Sequence, residues 1–331
     1  MNSEPLTLGR LGFGGAGIGN LYKAIPDGEA LATVLAAWDS GVRYFDTAPH
    51  YGLGLSEQRL GAVLRDKPRE EFVISTKVGR LLEANPHAGS ATDGSATAGP
   101  AAAGSAKDDE GFDVPATSRR VWDFTEAGIR RSIEDSLERL GLDHVDIAYL
   151  HDPDVHDLQK GISHALPALE KLRAEGLVKA IGVGTNSAEA ALECVEAADL
   201  DLIMLAGRYT LLEQPSAPLL ERCVEHRTGV VDVGVYNSGL LARPEVPDDA
   251  HYNYDRAPRA VVERARALAA VCRDFGVELP TAALQFPLRH PAVVNVTVGA
   301  SRPEQVTSNA SRMQESVPEE LWDALEALRR D

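Results

Sequence analysis

Eight short runs of apolar, β-prone residues punctuate this chain of 331 residues, and amphipathic stretches separate most of them. The runs are Leu11–Gly14, Tyr44–Asp46, Phe72–Thr76, Val145–Leu150, Lys179–Val183, Leu202–Leu205, Val230–Val235 and Val293–Val298. Strands that read as continuous apolar runs are buried on both faces, which is the situation of parallel strands covered by helices. The intervening stretches have helical periodicity over Gly28–Ser40, Ser56–Arg65, Thr125–Leu140, Gly161–Ala174, Ala188–Ala197, Ala217–His226 and Pro258–Phe275. Thr125 is placed to cap one of these helices, and Gly141 and Gly176 to stop two of them. Eight β/α units in uninterrupted alternation predict one α/β domain over residues 1–331, a closed (β/α)8 TIM barrel. An open doubly wound sheet is the alternative, and Gly12-Phe13-Gly14-Gly15-Ala16-Gly17 matches its GxGxxG phosphate loop. That motif needs a helix immediately after it, whereas here the helix signal waits until Pro26-Asp27.

One segment breaks the alternation. From Ala84 to Ala106 there is no Val, Ile, Leu, Met, Phe, Trp or Tyr, and Asp93 is the one Asp, Glu, Lys or Arg between Glu83 and Lys107. Such a stretch buries too little apolar surface to offset its ordering entropy. Residues 83–118 are therefore expected to form a disordered loop insertion inside the barrel domain.

The remainder is ordinary globular material, 44% hydrophobic and 25% charged, with 33 basic against 50 acidic residues and a formal charge of −17. An acidic surface repels phosphate backbones and anionic lipid, which disfavours nucleic-acid and membrane partners. No apolar stretch reaches the ~18 residues of a membrane span. Met1-Asn2-Ser3-Glu4-Pro5 lacks the features of a signal peptide, so a cytoplasmic location is expected. Cys194, Cys223 and Cys272 are too scattered for a metal site or a disulfide framework.

In a barrel of this kind, reactive groups sit just past the C-terminal ends of strands. Asp46 ends the second run with His50 and Tyr51 close behind; Lys77 follows the third and His151 the fourth. A tyrosine, ordinarily with pKa ~10, becomes a usable base beside a cation, and an aspartate keeps a lysine charged and oriented. Asp46, Tyr51 and Lys77 supply those roles, with His151 able to hydrogen-bond a substrate oxygen. Each also has a plain structural reading, as cap, rim residue, surface cation or helix-entry residue.

The blocks Asp46-Thr47-Ala48-Pro49-His50-Tyr51-Gly52, Ser75-Thr76-Lys77-Val78-Gly79 and Leu150-His151-Asp152-Pro153 resemble the aldo-keto reductase superfamily over essentially the whole chain outside the insertion. The resemblance implies a (β/α)8 barrel, an NAD(P)-dependent oxidoreductase, and a catalytic tetrad of Asp46, Tyr51, Lys77 and His151. It places Gly14, Gly15 and Ala16 beside the cofactor, Asn186 at the carboxamide, Tyr236, Asn237, Ser238 and Leu240 along the nicotinamide and pyrophosphate, and Gly299, Ser301, Arg302, Gln305 and Asn309 around the adenosine half. Gly184 and Ala206 replace the serine and glutamine usual at the carboxamide. With Arg302 as the cation of the adenosine loop, the reading leans to NAD and leaves NADP open through Ser301 and Arg302.

The motifs around Trp122, His151, Tyr209 and Tyr236 are similar to a subgroup that oxidises aldoses and pyridoxal. This implies oxidation of a cyclic hemiacetal, such as L-fucose, D-arabinose or L-galactose, at the anomeric carbon to a lactone, with Tyr51 as base. Pyridoxal oxidation, carbonyl reduction with NADPH, and a non-catalytic cofactor-binding regulatory protein are the alternatives. No metal is required, since the cofactor supplies the redox chemistry; a metal hydrolase built on His151, Asp152, Asp154 and Asp46 would leave Tyr51 and Lys77 idle. Tyr51 and His151 would meet the substrate. Trp122 is open to two readings, a stacking wall at the mouth or a core residue leading into the helix at Thr125. Oligomeric state does not follow from these motifs.

Overall fold

In the computed structural model, which describes residues 6–86, 88, 107–252 and 255–330, the eight runs become eight strands of one closed parallel barrel. They are β1 (Leu11–Gly14), β2 (Tyr44–Asp46), β3 (Val73–Val78), β4 (Ile147–His151), β5 (Ala180–Thr185), β6 (Leu202–Ala206), β7 (Gly229–Val233) and β8 (Val293–Gly299). Neighbours pair in sequence order, and β8 closes on β1 with Leu11 opposite Val296 and Gly14 opposite Gly299. The doubly wound alternative is thereby excluded. Gly12, first of the GxGxxG glycines, lies within β1, where an added Cβ would fall 2.2 Å from Thr297 Oγ1.

Side chains alternate along each strand and so divide the barrel into an inner and an outer core. Tyr44, Ile147, Tyr149, Leu202, Met204 and Val231 pack together inside. Their neighbours Phe45, Ala148, Leu150, Ile203 and Val230 pack outward beneath the helices. Burying each of the larger side chains stabilises the fold by about 1.5–3 kcal/mol. Helix ends follow their sequence signals. Thr125 Oγ1 accepts from the Gly128 N–H at 3.1 Å to open the helix Glu126–Leu140, and Gly141 closes it at φ 64°. The helices Arg259–Asp274, Leu279–Gln285 and Glu319–Arg330 contribute to a further apolar cluster. No described helix is long and apolar enough to cross a membrane.

The insertion departs from expectation at both ends. Arg80–Ala84 and Ser118–Trp122 pair as an antiparallel hairpin that leaves the barrel directly after β3. Residues 107–117 fold back over the loop after β1, with Phe112 and Val114 buried. The Tyr22 N–H donates to the Gly111 carbonyl and the Asp113 N–H to the Asn20 carbonyl, both at 2.9 Å. Arg120 binds the Asp108 carboxylate at 2.5 Å, with both side chains buried. The disorder expectation fails here because the boundary at 118 swept in two apolar anchors, Phe112 and Val114. The composition argument itself concerned Ala84–Ala106, of which residues 87 and 89–106 lie outside those described.

Candidate active site

Strand alternation brings the polar residues together. Tyr44 and Asp46 on β2, Ser75 and Lys77 on β3, and Tyr149 and His151 on β4 are two residues apart, so each pair faces the barrel interior, the second member nearer the C-terminal mouth. Tyr51 arrives from the turn after β2. That turn passes so close to the loop after β1 that a Cβ on Gly52, at φ 64°, would lie 2.2 Å from the Gly19 carbonyl oxygen.

The Lys77 ammonium donates to both carboxylate oxygens of Asp46, at 2.8 and 2.6 Å, and to the Thr47 carbonyl at 3.0 Å. It stands 5.0 Å from the centre of the Tyr51 ring. Burial opposes the charge of both partners, but the attraction of Asp46 and Tyr51 leaves the Lys77 pKa above its ordinary value. Asp46 is itself raised by burial, against the opposing pull of Lys77 and of a hydrogen bond from Ser75. Tyr51 departs from the sequence expectation in direction. Lys77 does lower it, but burial outweighs that effect, Asp46 and Asp152 add to burial, and the phenol is pushed up to about 12.

His151, 6% exposed, meets the Tyr51 ring edge-on at 5.9 Å and the His50 ring at 5.4 Å. Burial, helped by the positive charge of Arg80, holds the pKa of His151 well below the usual value, so it is a neutral hydrogen-bonding group. His50 is held down to about 2 by burial and by Arg80 and Arg120. Tyr51, Lys77 and His151 line a cavity of about 480 Å³ that also exposes His50, Phe112, Asn186 and Met204. Its rim is charged. Glu110 lies 3.6 Å from His50 Nδ1, 3.7 Å from Arg80 and 3.5 Å from Arg120, while Arg80 also pairs with Asp152 at 2.6 Å.

A second cavity, of about 660 Å³, runs from Gly234 along Tyr236, Asn237 and Ser238 to Gly299 and the helix Pro303–Gln314. The Tyr236 hydroxyl donates to Asn309 Oδ1 at 2.8 Å. Leu21 and Tyr22 line both cavities, so the two meet.

The sequence model of the aldo/keto reductase family matches residues 10–330. The chain belongs to the aldo/keto reductase family. It is 52% identical over 325 residues to a D-threo-aldose 1-dehydrogenase from a Pseudomonas species, spanning 98% of this chain and 95% of that one. It is 39% identical to a pyridoxal 4-dehydrogenase from Microbacterium luteolum, spanning 97% and 94%. The fold matches that of a glycerol dehydrogenase from Gluconobacter oxydans with a TM-score of 0.75, at 24% identity, over 97% of this chain and 91% of that one.

Members of this family use NAD(P), and the second cavity of this aldo/keto reductase has the donors and acceptors for a dinucleotide. Asn237 Oδ1 and Arg312 Nε are buried polar atoms without a hydrogen-bond partner, and both residues line the groove. A Cβ on Gly299 would meet only the Gly14 carbonyl, at 3.8 Å, so the backbone there is open to close approach. Tyr236, Asn237, Ser238, Gly299, Gln305 and Asn309 line this groove, and Ala16 and Asn186 the first cavity.

Other expected contacts lie elsewhere. Gly15 is packed under Asp46 and Ser56, its N–H bound to the Asp46 carbonyl. Gly14 is a strand residue opposite Gly299. Leu240 is buried in the apolar cluster and its N–H bonds the Asn237 carbonyl, so neither its side chain nor its donor faces the groove. The Ser301 N–H is taken by Gln305 Oε1, and Arg302 reaches Glu29 at 3.5 Å outside the groove lining. Arg243 and Arg312 are the cations that line the groove instead. Trp122 does not line the first cavity: it stacks on His156 at 4.9 Å and lies under the Arg80 guanidinium at 4.3 Å. Phe112, 5.2 Å from the His50 ring, lines the mouth in its place, together with Tyr22. Its sequence signal was an isolated aromatic between acidic residues, hidden by the assignment of its surroundings to a disordered loop.

Proposed function

We propose that this aldo/keto reductase oxidises the ring form of an aldose at its anomeric carbon to the lactone. The observation that carries the chemistry is the Asp46–Lys77 pair buried against Tyr51, with neutral His151 beside it on one cavity floor. The substrate class is carried by the 52% identical aldose dehydrogenase. The dinucleotide, when bound, supplies the hydride acceptor. Tyr51 as phenolate takes the proton of the anomeric hydroxyl, Lys77 stabilises that phenolate, and Asp46 keeps Lys77 charged and directed at it. His151 hydrogen-bonds the substrate oxygen and fixes the carbon that loses hydride. In the reductive direction the same phenol is the proton donor.

For the cofactor, the residues offered are Asn186 in the first cavity and Tyr236, Asn237, Ser238, Gln305, Asn309 and Arg312 along the groove, with NAD preferred. Arg302, the cation expected to read a 2′-phosphate, is engaged by Glu29. Arg302→Ala therefore leaves the Michaelis constants for NAD and NADP within about twofold, as for an exposed charge pair. A large rise confined to NADP would restore Arg302 as the phosphate reader.

Pyridoxal is the second substrate reading, favoured by the 39% identical relative and by the aromatic wall of Phe112 and His50. Its internal hemiacetal gives a lactone by the same steps. Initial rates with NAD and NADP on L-fucose, D-arabinose, L-galactose and pyridoxal test both readings. Turnover of a sugar with release of lactone supports the first; turnover of pyridoxal alone replaces it with the second.

A further inference from the structure

Below Asp46 the barrel interior continues with hydroxyl groups. Ser75 Oγ donates to Asp46 Oδ1 at 2.6 Å, Tyr44 Oη lies 2.9 Å from Ser75 Oγ, and Tyr149 Oη lies 3.3 Å from Tyr44 Oη. All three side chains are fully buried. A carboxylate only accepts hydrogen bonds, and each hydroxyl has one proton to give. Because Ser75 gives its proton to Asp46, Tyr44 must give its own to Ser75, and Tyr149 to Tyr44. The direction is set throughout, and every O–H dipole points toward the carboxylate.

Space for this chain is built into neighbouring strands. A Cβ on Gly182 of β5 would fall 2.8 Å from the Tyr149 ring, and one on Gly12 of β1 would fall 2.8 Å from the Tyr44 ring. Neither glycine has a positive φ, so both serve by leaving room, Gly182 for the Leu202 carbonyl and the Tyr149 ring and Gly12 for Thr297 and the Tyr44 ring. An apolar floor of phenylalanine or leucine would fill a barrel as well; what the hydroxyls add is electrostatic.

We propose that Ser75, Tyr44 and Tyr149 are positioning residues, a one-way chain of hydroxyl donors that holds Asp46 ionised and thereby keeps Lys77 charged and aimed at Tyr51. The proposal rests on the assignment of Asp46, Lys77 and Tyr51 under Proposed function. Asp46 needs such help because burial disfavours its charge; Lys77 is the charged group that faces it, and Tyr44, Tyr51 and Tyr149 are the other titratable groups nearby. None of the three positioning hydroxyls lines the substrate cavity, so their loss acts on kcat and its pH dependence and not on substrate affinity.

The test compares Ser75→Ala and Tyr149→Phe with wild type from pH 5 to 10, using saturating NAD and an aldose that the wild type oxidises. The acid limb that reports Asp46 is the break below which oxidative kcat falls more steeply than the tenfold per pH unit due to the Tyr51 phenolate, and losing a hydrogen bond to a charged group moves that limb upward by about one pH unit in Ser75→Ala. Tyr149→Phe shifts it less but in the same direction, and KM stays within about twofold in both. An unshifted limb in a Ser75→Ala protein of wild-type melting temperature overturns the proposal. Should Ser75→Ala fail to fold, Tyr149→Phe decides alone by the same criterion. An infrared pH titration provides a readout free of turnover: the band of protonated Asp46, identified by its absence in Asp46→Asn, appears at higher pH in Ser75→Ala. If wild type oxidises no hemiacetal but this band still moves, the reaction assignment fails and the hydroxyl chain stands.

Discussion

A phenol pushed up to about 12 is almost wholly protonated at neutral pH, which favours it as the proton donor in reduction and limits it as the base in oxidation. The oxidative kcat/KM should therefore climb by roughly tenfold per pH unit while phenolate is the limiting species, with no plateau below about pH 10, whereas reduction stays flat over pH 6–9. An oxidative plateau already reached at pH 8 would show that the enzyme with cofactor bound lowers Tyr51 far more than Lys77 alone does. Tyr51→Phe removes the proton-transfer group and should cost roughly 10²–10⁴-fold in turnover at unchanged dinucleotide affinity, read by fluorescence titration. Lys77→Met removes the one large influence that lowers Tyr51 and pushes the oxidative profile still higher in pH. A variant with wild-type rate and wild-type pH profile at either position would falsify the role given to that residue.

Two aromatics on the C-terminal side of the insertion have different duties, and the distinction predicts different losses. Phe112 presents its ring to the catalytic cavity beside His50 and Tyr51. Phe112→Ala should raise the substrate KM several-fold and leave cofactor binding alone. Trp122, between Arg80 and His156, joins the hairpin to the barrel. Trp122→Ala should lower the melting temperature and leave KM within about twofold, because a large aromatic removed from packed surroundings costs up to ~3–5 kcal/mol. The reverse pattern would return Trp122 to the substrate wall. The barrel strands were legible because each is a continuous apolar run, and β1 and β2 match their sequence boundaries residue for residue. Asp46, Lys77 and His151, the groups proposed for the chemistry, were legible because they stand at the C-terminal ends of strands, where this fold carries its reactive groups. Phe112, Glu110 and Arg312 were not. Phe112 and Glu110 come to the mouth through pairing with the loop at residues 20–24, a contact across some ninety residues that no local pattern encodes. Arg312 lies ten residues beyond the arginine that the family motif singled out, on the helix that follows it.

Among the described residues, the shell between strands and helices is mostly apolar, and where it buries a charge, as at Glu57, hydrogen bonds from Thr76 and Arg139 satisfy it. Asp232 has no such partners. It follows Val231, which faces the interior, and by alternation shares the outward face of Val230. It is fully buried, and neither carboxylate oxygen has a hydrogen-bond partner. Burial alone pushes its pKa well above the ordinary 3.8. With the folded pKa raised above the unfolded one, folding takes up a proton. The resulting stabilisation is complete below about pH 4 and is lost as pH rises through the folded pKa. At neutral and alkaline pH, Asp232 is therefore a net cost to the fold that an uncharged isostere would not bear. Asp232→Asn should melt about 1–3 °C higher than wild type at pH 8, with the gain shrinking toward zero near pH 4. Thermal unfolding followed by circular dichroism across that range checks both the sign and the pH dependence. A gain independent of pH would mean that repacking, and not the proton, separates the two proteins. A loss at pH 8 would mean that the carboxylate is ionised and held by an ordered water or cation, making Asp232 a stabilising feature of the shell.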